Sequence, residues 1–289
     1  MQKKLLIVGG GAAGLSAAIY AARANIPTTV LYQDGGALSK TDKIENYFGF
    51  PQPISGTELL RRGQEQAVRL GANLIRTEVT GVAYTAEGFS VHSTAGTFPA
   101  NAIILSTGTS RRIPLLPGIT EWEGRGVSYC AVCDAFFYRG QPVAVLGAGA
   151  YALEEAQTLL QTASSVTLLT NGEPSPEIIP AGLQVETRPL TAIEGVDRVE
   201  KVLFQTGEPL VVNGVFIALG TADSNSMART LGVFTKDNYI LIDADGATNV
   251  PGIFAAGDCT GGLLQIVKAV QEGAQAALCA AQFLRKLNK

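Results

Sequence analysis

Short apolar runs alternate with glycine-rich breaks along this chain. Leu5-Leu6-Ile7-Val8 is a run of β-type residues, Gly9 to Gly14 a turn, Leu15 to Asn25 an Ala-rich helical stretch, and Thr28 to Tyr32 a return to β. Strand, glycine turn, helix and strand within about 30 residues form the first half of a Rossmann unit. The order recurs: Pro142 to Leu146 predicts a strand, Gly147 to Ala152 a turn, Leu153 to Thr162 a helix and Val166 to Leu169 a strand. The pattern predicts an α/β protein with two Rossmann-like, three-layer dinucleotide-binding domains. Between the two units, Phe89 to His92 and Phe98 to Leu105 read as hairpins and strands, with Thr107-Gly108 ending one of them. Arg111 to Gly118, with two prolines, reads as a linker. Val215 to Leu219 and Ile253 to Ala256 predict buried strands, followed by Gly220 and by Gly257-Asp258, and Leu263 to Leu287 a long final helix.

Composition sharpens this. At 289 residues the chain has room for two domains with sizeable cores. The 22 Lys+Arg against 25 Asp+Glu give a net charge of −3, which attracts neither nucleic acid nor an anionic membrane. With 46% hydrophobic and 16% charged residues, the chain suggests buried parallel sheet and excludes disorder. Lys3-Lys4 ahead of the apolar stretch Leu5 to Ala22 resembles a signal peptide, but Gly9, Gly10, Gly11 and Gly14 interrupt it where a strand-to-helix turn needs them. The expectation is a soluble, cytoplasmic protein. Four cysteines are too few for a disulfide-stapled secreted scaffold.

Gly9-x-Gly11-x-x-Gly14 follows a strand and opens a helix, the context in which glycines let a dinucleotide pyrophosphate settle on unpaired helix N–H groups. Asp34, 20 residues after Gly14, stands near the position of an acid that bonds a ribose hydroxyl. The second turn, Gly147-x-Gly149-x-x-Ala152, has the same context and different surroundings. Leu168-Leu169-Thr170-Asn171 ends its second strand without an acid, and the stretch between Arg139 and Arg188 holds no Lys or Arg but five Glu, at 154, 155, 173, 177 and 186. That field opposes a nicotinamide cofactor's phosphates, so this turn reads as a retained architectural element.

Cys130-Ala131-Val132-Cys133-Asp134 lies just ahead of the second turn. Two thiols at this spacing exchange with a substrate disulfide, one attacking and the other resolving the mixed disulfide, with Asp134 able to move a proton at the thiolate. A zinc site needs two further ligands, and no metal is expected. Cys259 and Cys279 read as packing residues. The sole histidine, His92, falls in a predicted hairpin, which leaves acid-base work to Asp134.

These residues resemble the low-molecular-weight thioredoxin reductases over nearly the whole chain. The likeness rests on Gly9 to Gly14, Glu45 to Pro51 with Ile54-Ser55-Gly56, Thr107-Gly108, Ser128 to Asp134, Glu154-Glu155-Ala156, Val250 to Asp258, and Gln265 in the final helix. The resemblance implies a homodimeric flavoprotein with a discontinuous FAD-binding domain, residues 1–111 and 241–289, and an inserted domain, residues 112–240, that carries the cysteine pair. Gly9, Gly11, Ala12, Ala13 and Gly14 would hold the FAD pyrophosphate, and Asp258, after Gly257, would bond the ribityl or pyrophosphate region. The helix start near Gln265 would point at the flavin, with Asp34, Asn46, Thr107 and Gly108 completing the cofactor set. Cys133 would lie nearer the flavin and Cys130 would attack the protein substrate. A domain rotation about linkers near Arg112 and Tyr239 would serve both tasks.

The departures from that family point to the electron donor. NADPH-using members carry an Arg-rich segment where this chain has Thr170-Asn171-Gly172-Glu173, and a small polar residue where it has Tyr151. Ferredoxin-linked and flavin-linked branches keep FAD and the cysteine pair without a nicotinamide site, and this chain resembles them. The expected activity is FAD-dependent reduction of a thioredoxin-like disulfide, with ferredoxin or another low-potential donor favoured over NADPH. A thiol oxidase delivering electrons to oxygen and a non-catalytic flavin redox sensor are the alternatives.

Overall fold

The computed structural model describes residues 3–108, 116–129, 131–219, 224–236 and 239–287, with backbone alone for Lys40, Val132 and Cys133. The chain divides into two compact units, one of Met1–Ser110 with Asp223–Lys289, the other of Arg111–Ala222.

The first unit opens with β1 (Leu5–Val8), α1 (Ala12–Arg23) and β2 (Thr28–Tyr32), followed by α2 (Gly56–Arg69) and β3 (Asn73–Arg76). Helix α1 begins at Ala12, three residues ahead of the expected Leu15, because the glycine turn is shared with the helix. Gly9 has φ +114°, and a Cβ there would stand 2.3 Å from the Ser106 carbonyl oxygen; one on Gly14 would stand 1.9 Å from the Gly9 oxygen. Only glycine fits either place. Strands β4 (Val79–Thr85), β5 (Gly88–Ser93) and β6 (Gly96–Ala100) form an antiparallel sheet, and His92 lies on β5 as expected. Strand β7 (Ala102–Leu105) follows at once. The stretch Phe98 to Leu105, expected among the hairpins and strands, thus spans two strands in different sheets. They part at Asn101, whose side chain accepts from the Lys4 amide and donates to the Glu87 carbonyl.

The second unit contains β8 (Val127–Ser128), the one-turn helix α3 (Ala131–Asp134), β9 (Pro142–Leu146), α4 (Ala150–Leu160), β10 (Ser165–Leu169) and β11 (Leu183–Glu186). An antiparallel trio, β12 (Leu190–Gly195), β13 (Val199–Phe204) and β14 (Leu210–Val211), precedes β15 (Gly214–Ile217). The parallel sheet runs β11-β10-β9-β15-β8. Its core gathers Trp122, Leu146, Leu169, Ile193, Val202 and Val215, and the Trp122 indole N–H donates to the Ile193 carbonyl.

The chain returns through α5 (Ser224–Thr230), β16 (Thr235–Lys236), β17 (Tyr239–Ile240), β18 (Ile253–Ala255) and α6 (Ile266–Lys286), completing a parallel sheet of order β18-β7-β1-β2-β3. The return falls at residue 223, not 241 as expected, and Tyr239 lies inside the first unit. Contacts within that unit explain the earlier boundary. Ser224 exchanges hydrogen bonds with Thr107, the Tyr84 hydroxyl donates to the Leu231 carbonyl, and the Tyr239 ring lies over Gly261. Residues 111–115, including the expected linker position Arg112, lie outside the described residues. Helix α6 begins at Ile266 with Gln265 as its N-cap, so Gln265 precedes the helix. Helices α1 and α6 meet through Ala13, Ala17, Ala276 and Ala280, so closely that a Cβ on Gly273 would stand 2.1 Å from the Ala13 oxygen. Among the described residues no helix is long and apolar enough to cross a membrane.

Candidate functional site

In the first unit the predicted cofactor residues gather at the carboxyl edge of one sheet. The Gly9–Gly14 turn leaves the end of β1, Asp34 lies two residues beyond β2, Thr107 and Gly108 follow β7, and Gly257-Asp258 follow β18. In open α/β sheets ligands bind at this edge, where the strand order reverses, here between β1 and β7. Gly257, at φ +90°, packs on Ala13 in the first turn of α1. Asn46 donates to the Gln265 side chain at 2.9 Å, joining two predicted residues 219 positions apart. Thr107 is committed to Ser224, a buried partner absent from the sequence reading, while Asp34 accepts the Gly36 amide.

Whether this edge suits a dinucleotide is tested by what it leaves open. Gly11 is the N-cap of α1 and provides no side-chain cap, and nothing lies within 4 Å of where its Cβ would stand. The first turn of α1 thus has no side-chain cap on its amides, and the positive end of the helix dipole lies there. Helix α6 likewise starts without a side-chain cap. Both features fit FAD, with its pyrophosphate at α1.

Behind Gly257-Asp258 lies a polar lock that the sequence reading missed. Lys268 donates to the Gly257 carbonyl at 2.8 Å and to Thr260, and pairs with Glu272 at 2.9 Å; Glu272 in turn accepts the Gly257 amide. The i,i+4 spacing of Lys268 and Glu272 on the last helix was the available signal. Burial raises the Asp258 carboxyl above its ordinary range; Lys268 pulls it back and Glu272 adds to the rise. Cys259 is fully buried, with its thiol against the Leu105 and Ala256 carbonyls, and desolvation pushes it up to about 12. It is a packing residue, and Cys279 packs from α6 against the core of the first unit.

In the second unit the segment carrying the cysteines also stands at a carboxyl sheet edge, directly after β8, and the second glycine turn follows β9 on that edge. Cys130 lies outside the described residues, and Cys133 is on α3. Asp134 accepts a hydrogen bond from the buried Ser128 hydroxyl at 2.7 Å, so one residue from each side of the pair is tied across it. The Tyr138 hydroxyl is raised, by burial first and by Asp134 second. Glu155 on α4, 8% exposed, accepts the Ala131 amide at 2.6 Å, and burial pushes its carboxyl up to about 7. Ser128 and Glu155 were outside the predicted set, although both belong to the motifs that carried the resemblance.

The second glycine turn differs from the first in what lies beside it. Tyr151, in the first turn of α4, is buried, and its hydroxyl donates to the Tyr129 carbonyl. At the end of β10 the Thr170 hydroxyl donates to the Glu173 carbonyl, and the Asn171 side chain accepts the Leu190 amide. These side chains spend hydrogen bonds on the protein itself.

The family model for pyridine nucleotide-disulphide oxidoreductases matches residues 3–273. The thioredoxin reductase of Aquifex aeolicus is 37% identical, over 99% of this chain and 94% of its own. The crystal structure of the atypical thioredoxin reductase TRi from Desulfovibrio vulgaris Hildenborough superimposes with a TM-score of 0.92 at 42% identity, covering 98% of both chains. A ferredoxin-flavin thioredoxin reductase from Clostridium acetobutylicum gives a TM-score of 0.72 at 31% identity, again over 98% of each chain. Matched along nearly its full length by fold, by sequence and by an edge that fits FAD, the chain belongs to the pyridine nucleotide-disulphide oxidoreductases and is a flavoprotein of the thioredoxin reductase type.

Proposed function

We propose that this protein reduces a thioredoxin-like disulfide through Cys130 and Cys133, drawing electrons from a low-potential donor such as ferredoxin in place of NADPH. FAD, held by the Gly9–Gly14 turn, Asp258 and the start of α6, supplies the carrier between donor and dithiol. The Cys130 thiolate attacks one sulfur of the partner disulfide, forming a mixed disulfide and releasing a partner thiolate. The Cys133 thiolate then attacks the Cys130 sulfur, which closes the Cys130–Cys133 disulfide and releases the second partner thiolate. Two protons pass from the cysteine pair to the partner thiols, and Asp134, held by Ser128, takes and gives them at the sulfur.

The observation that carries the donor reading is the closed carboxyl edge of the second unit. Thr170 and Asn171 are bonded to the protein's own backbone where NADPH recognition requires groups facing outward. No Lys or Arg between residues 139 and 188 offsets a 2′-phosphate, and Tyr151 is packed into the start of α4. A protein partner is favoured by Phe136 and Phe137, each 70% exposed and three and four residues beyond Cys133. The kinship with ferredoxin-flavin thioredoxin reductases supports the same reading. The test is steady turnover of a thioredoxin disulfide by the FAD-loaded protein, with reduced ferredoxin as donor in one series and NADPH in another. Turnover with ferredoxin alone is expected; equal or faster turnover with NADPH refutes the donor assignment.

A further inference from the structure

Helix α4 turns two buried side chains, Tyr151 and Glu155, toward the segment carrying the first cysteine. The Tyr151 hydroxyl donates to the Tyr129 carbonyl at 3.4 Å, and the Glu155 carboxylate accepts the Ala131 amide at 2.6 Å. In the chain these two backbone groups belong to the residues immediately before and after Cys130. A carboxyl this deeply buried is costly to ionise, and desolvation accordingly pushes it up to about 7, with the Ala131 amide opposing and Glu154 adding to the rise. Packing alone would be served by an apolar side chain. Glu155 instead spends its buried carboxyl on the amide that opens the turn between the thiols.

We propose that Glu155 is a positioning residue for the dithiol, fixing the Ala131 amide and, when ionised, laying a buried negative charge beside the turn that opposes thiolate formation there. The proposal rests on the reading of Cys130 and Cys133 as the redox pair. Few other ionisable groups stand on the elements packed against Glu155. Among the described residues they are Tyr151 and Glu154 on its own helix, Cys133 and Asp134 on α3, and Glu186 on β11, which is engaged by Arg188 at 2.6 Å; β9 and β10 carry none. At acid pH Glu155 is a neutral acceptor of the Ala131 amide. Above its titration it adds a charge, and a thiol of the pair on either side of the Ala131 amide in the chain gives up its proton less readily than beside a neutral side chain.

The test reads the thiols directly. The holoprotein, reduced anaerobically with dithiothreitol, is pulsed with iodoacetamide from about pH 6 to about pH 9, and modification of Cys130 and Cys133 is followed by peptide mass spectrometry. Wild type is compared with Glu155→Gln and Glu155→Ala, and with Glu177→Gln as an exposed charge control. Glu155→Gln keeps an acceptor for the amide and removes the charge, so the midpoint of thiol ionisation is expected to fall by about 0.5–1 pH unit. Glu155→Ala, which leaves the amide unbonded, is expected to change the relative reactivity of the two cysteines, and Glu177→Gln to change nothing. Superimposable profiles for wild type and Glu155→Gln overturn the proposal, as does an equal shift in Glu177→Gln. Should Glu155→Ala fail to fold, Glu155→Gln decides alone. Failure of the redox-pair reading appears separately, as undiminished thioredoxin turnover in Cys133→Ser, because alkylation does not depend on turnover.

Discussion

The two glycine turns stand at corresponding edges of two parallel sheets, and they meet their surroundings in opposite ways. Both helices behind the turns start without a side-chain cap; at the first turn, Gly11 opens onto space. At the second, Tyr151 and Glu155 bind the protein's own backbone on either side of Cys130, and Thr170 and Asn171 close the end of the neighbouring strand. The strand-turn-helix scaffold is common to both, so the scaffold does not decide what is bound. The atoms left unsatisfied at its edge do. In the second unit Tyr151 and Glu155 are turned onto the residues that flank Cys130 in the chain, and Thr170 and Asn171 onto the backbone at Glu173 and Leu190.

The comparison breaks most visibly at the cysteines. Cys133→Ser is expected to lower thioredoxin turnover by at least ~10³-fold while FAD stays bound, because the resolving thiol is lost and the first turn is untouched. Retention of full activity would separate the dithiol from the reaction. Next in size is the effect of filling the first turn. Gly11→Val places a side chain where no protein atom stands, so the fold should survive and FAD affinity should fall by about 100-fold or more, measured by flavin retention on dialysis. Gly9→Ala, by contrast, strikes the Ser106 carbonyl and is expected to destabilise the fold itself, seen as a lower melting temperature of the apoprotein.

Tyr151→Ala sharpens the reading of the second turn. Removing a buried ring should destabilise the protein by about 3 kcal/mol in urea unfolding. It should not confer reduction by NADPH, since the missing cations are not restored. The last effect is a slope, spread over pH. The folded-state carboxyl of Glu155, at about 7, lies above its ordinary value of 4.5, so the folded state binds the proton more tightly than the unfolded chain. The stability it contributes is present at acid pH and is lost as the pH rises from about 4.5 through about 7, at up to ~1.4 kcal/mol per pH unit. Urea midpoints across that window should show this slope in the wild type and lack it in Glu155→Gln.

Much of the scaffold was legible because it is local. Leu5–Val8, Thr28–Tyr32 and Pro142–Leu146 are runs of β-forming residues with glycine or turn signals at their borders, and they form strands within the expected bounds. Helix starts were less legible: a glycine is ordinarily a poor helix residue, so Gly14 argued for a later start than the one that close packing against Gly9 enforces. The break at Asn101 and the return at residue 223 depend on hydrogen bonds to Lys4 and Thr107, partners about a hundred positions away that no periodicity reveals. The candidate cofactor residues could be named from motifs. Ser128, Glu155, Lys268 and Glu272 could not be given roles, because a supporting residue is defined by its partner in space.

The central contrast, a first turn proposed to hold flavin and a second proposed not to hold nicotinamide, is tested most directly by anaerobic titration of the yellow holoprotein with NADPH, with NADH and with reduced ferredoxin, following the oxidised-flavin absorbance. Ferredoxin is predicted to bleach the flavin while neither nicotinamide does so. Rapid, stoichiometric bleaching by NADPH would contradict it.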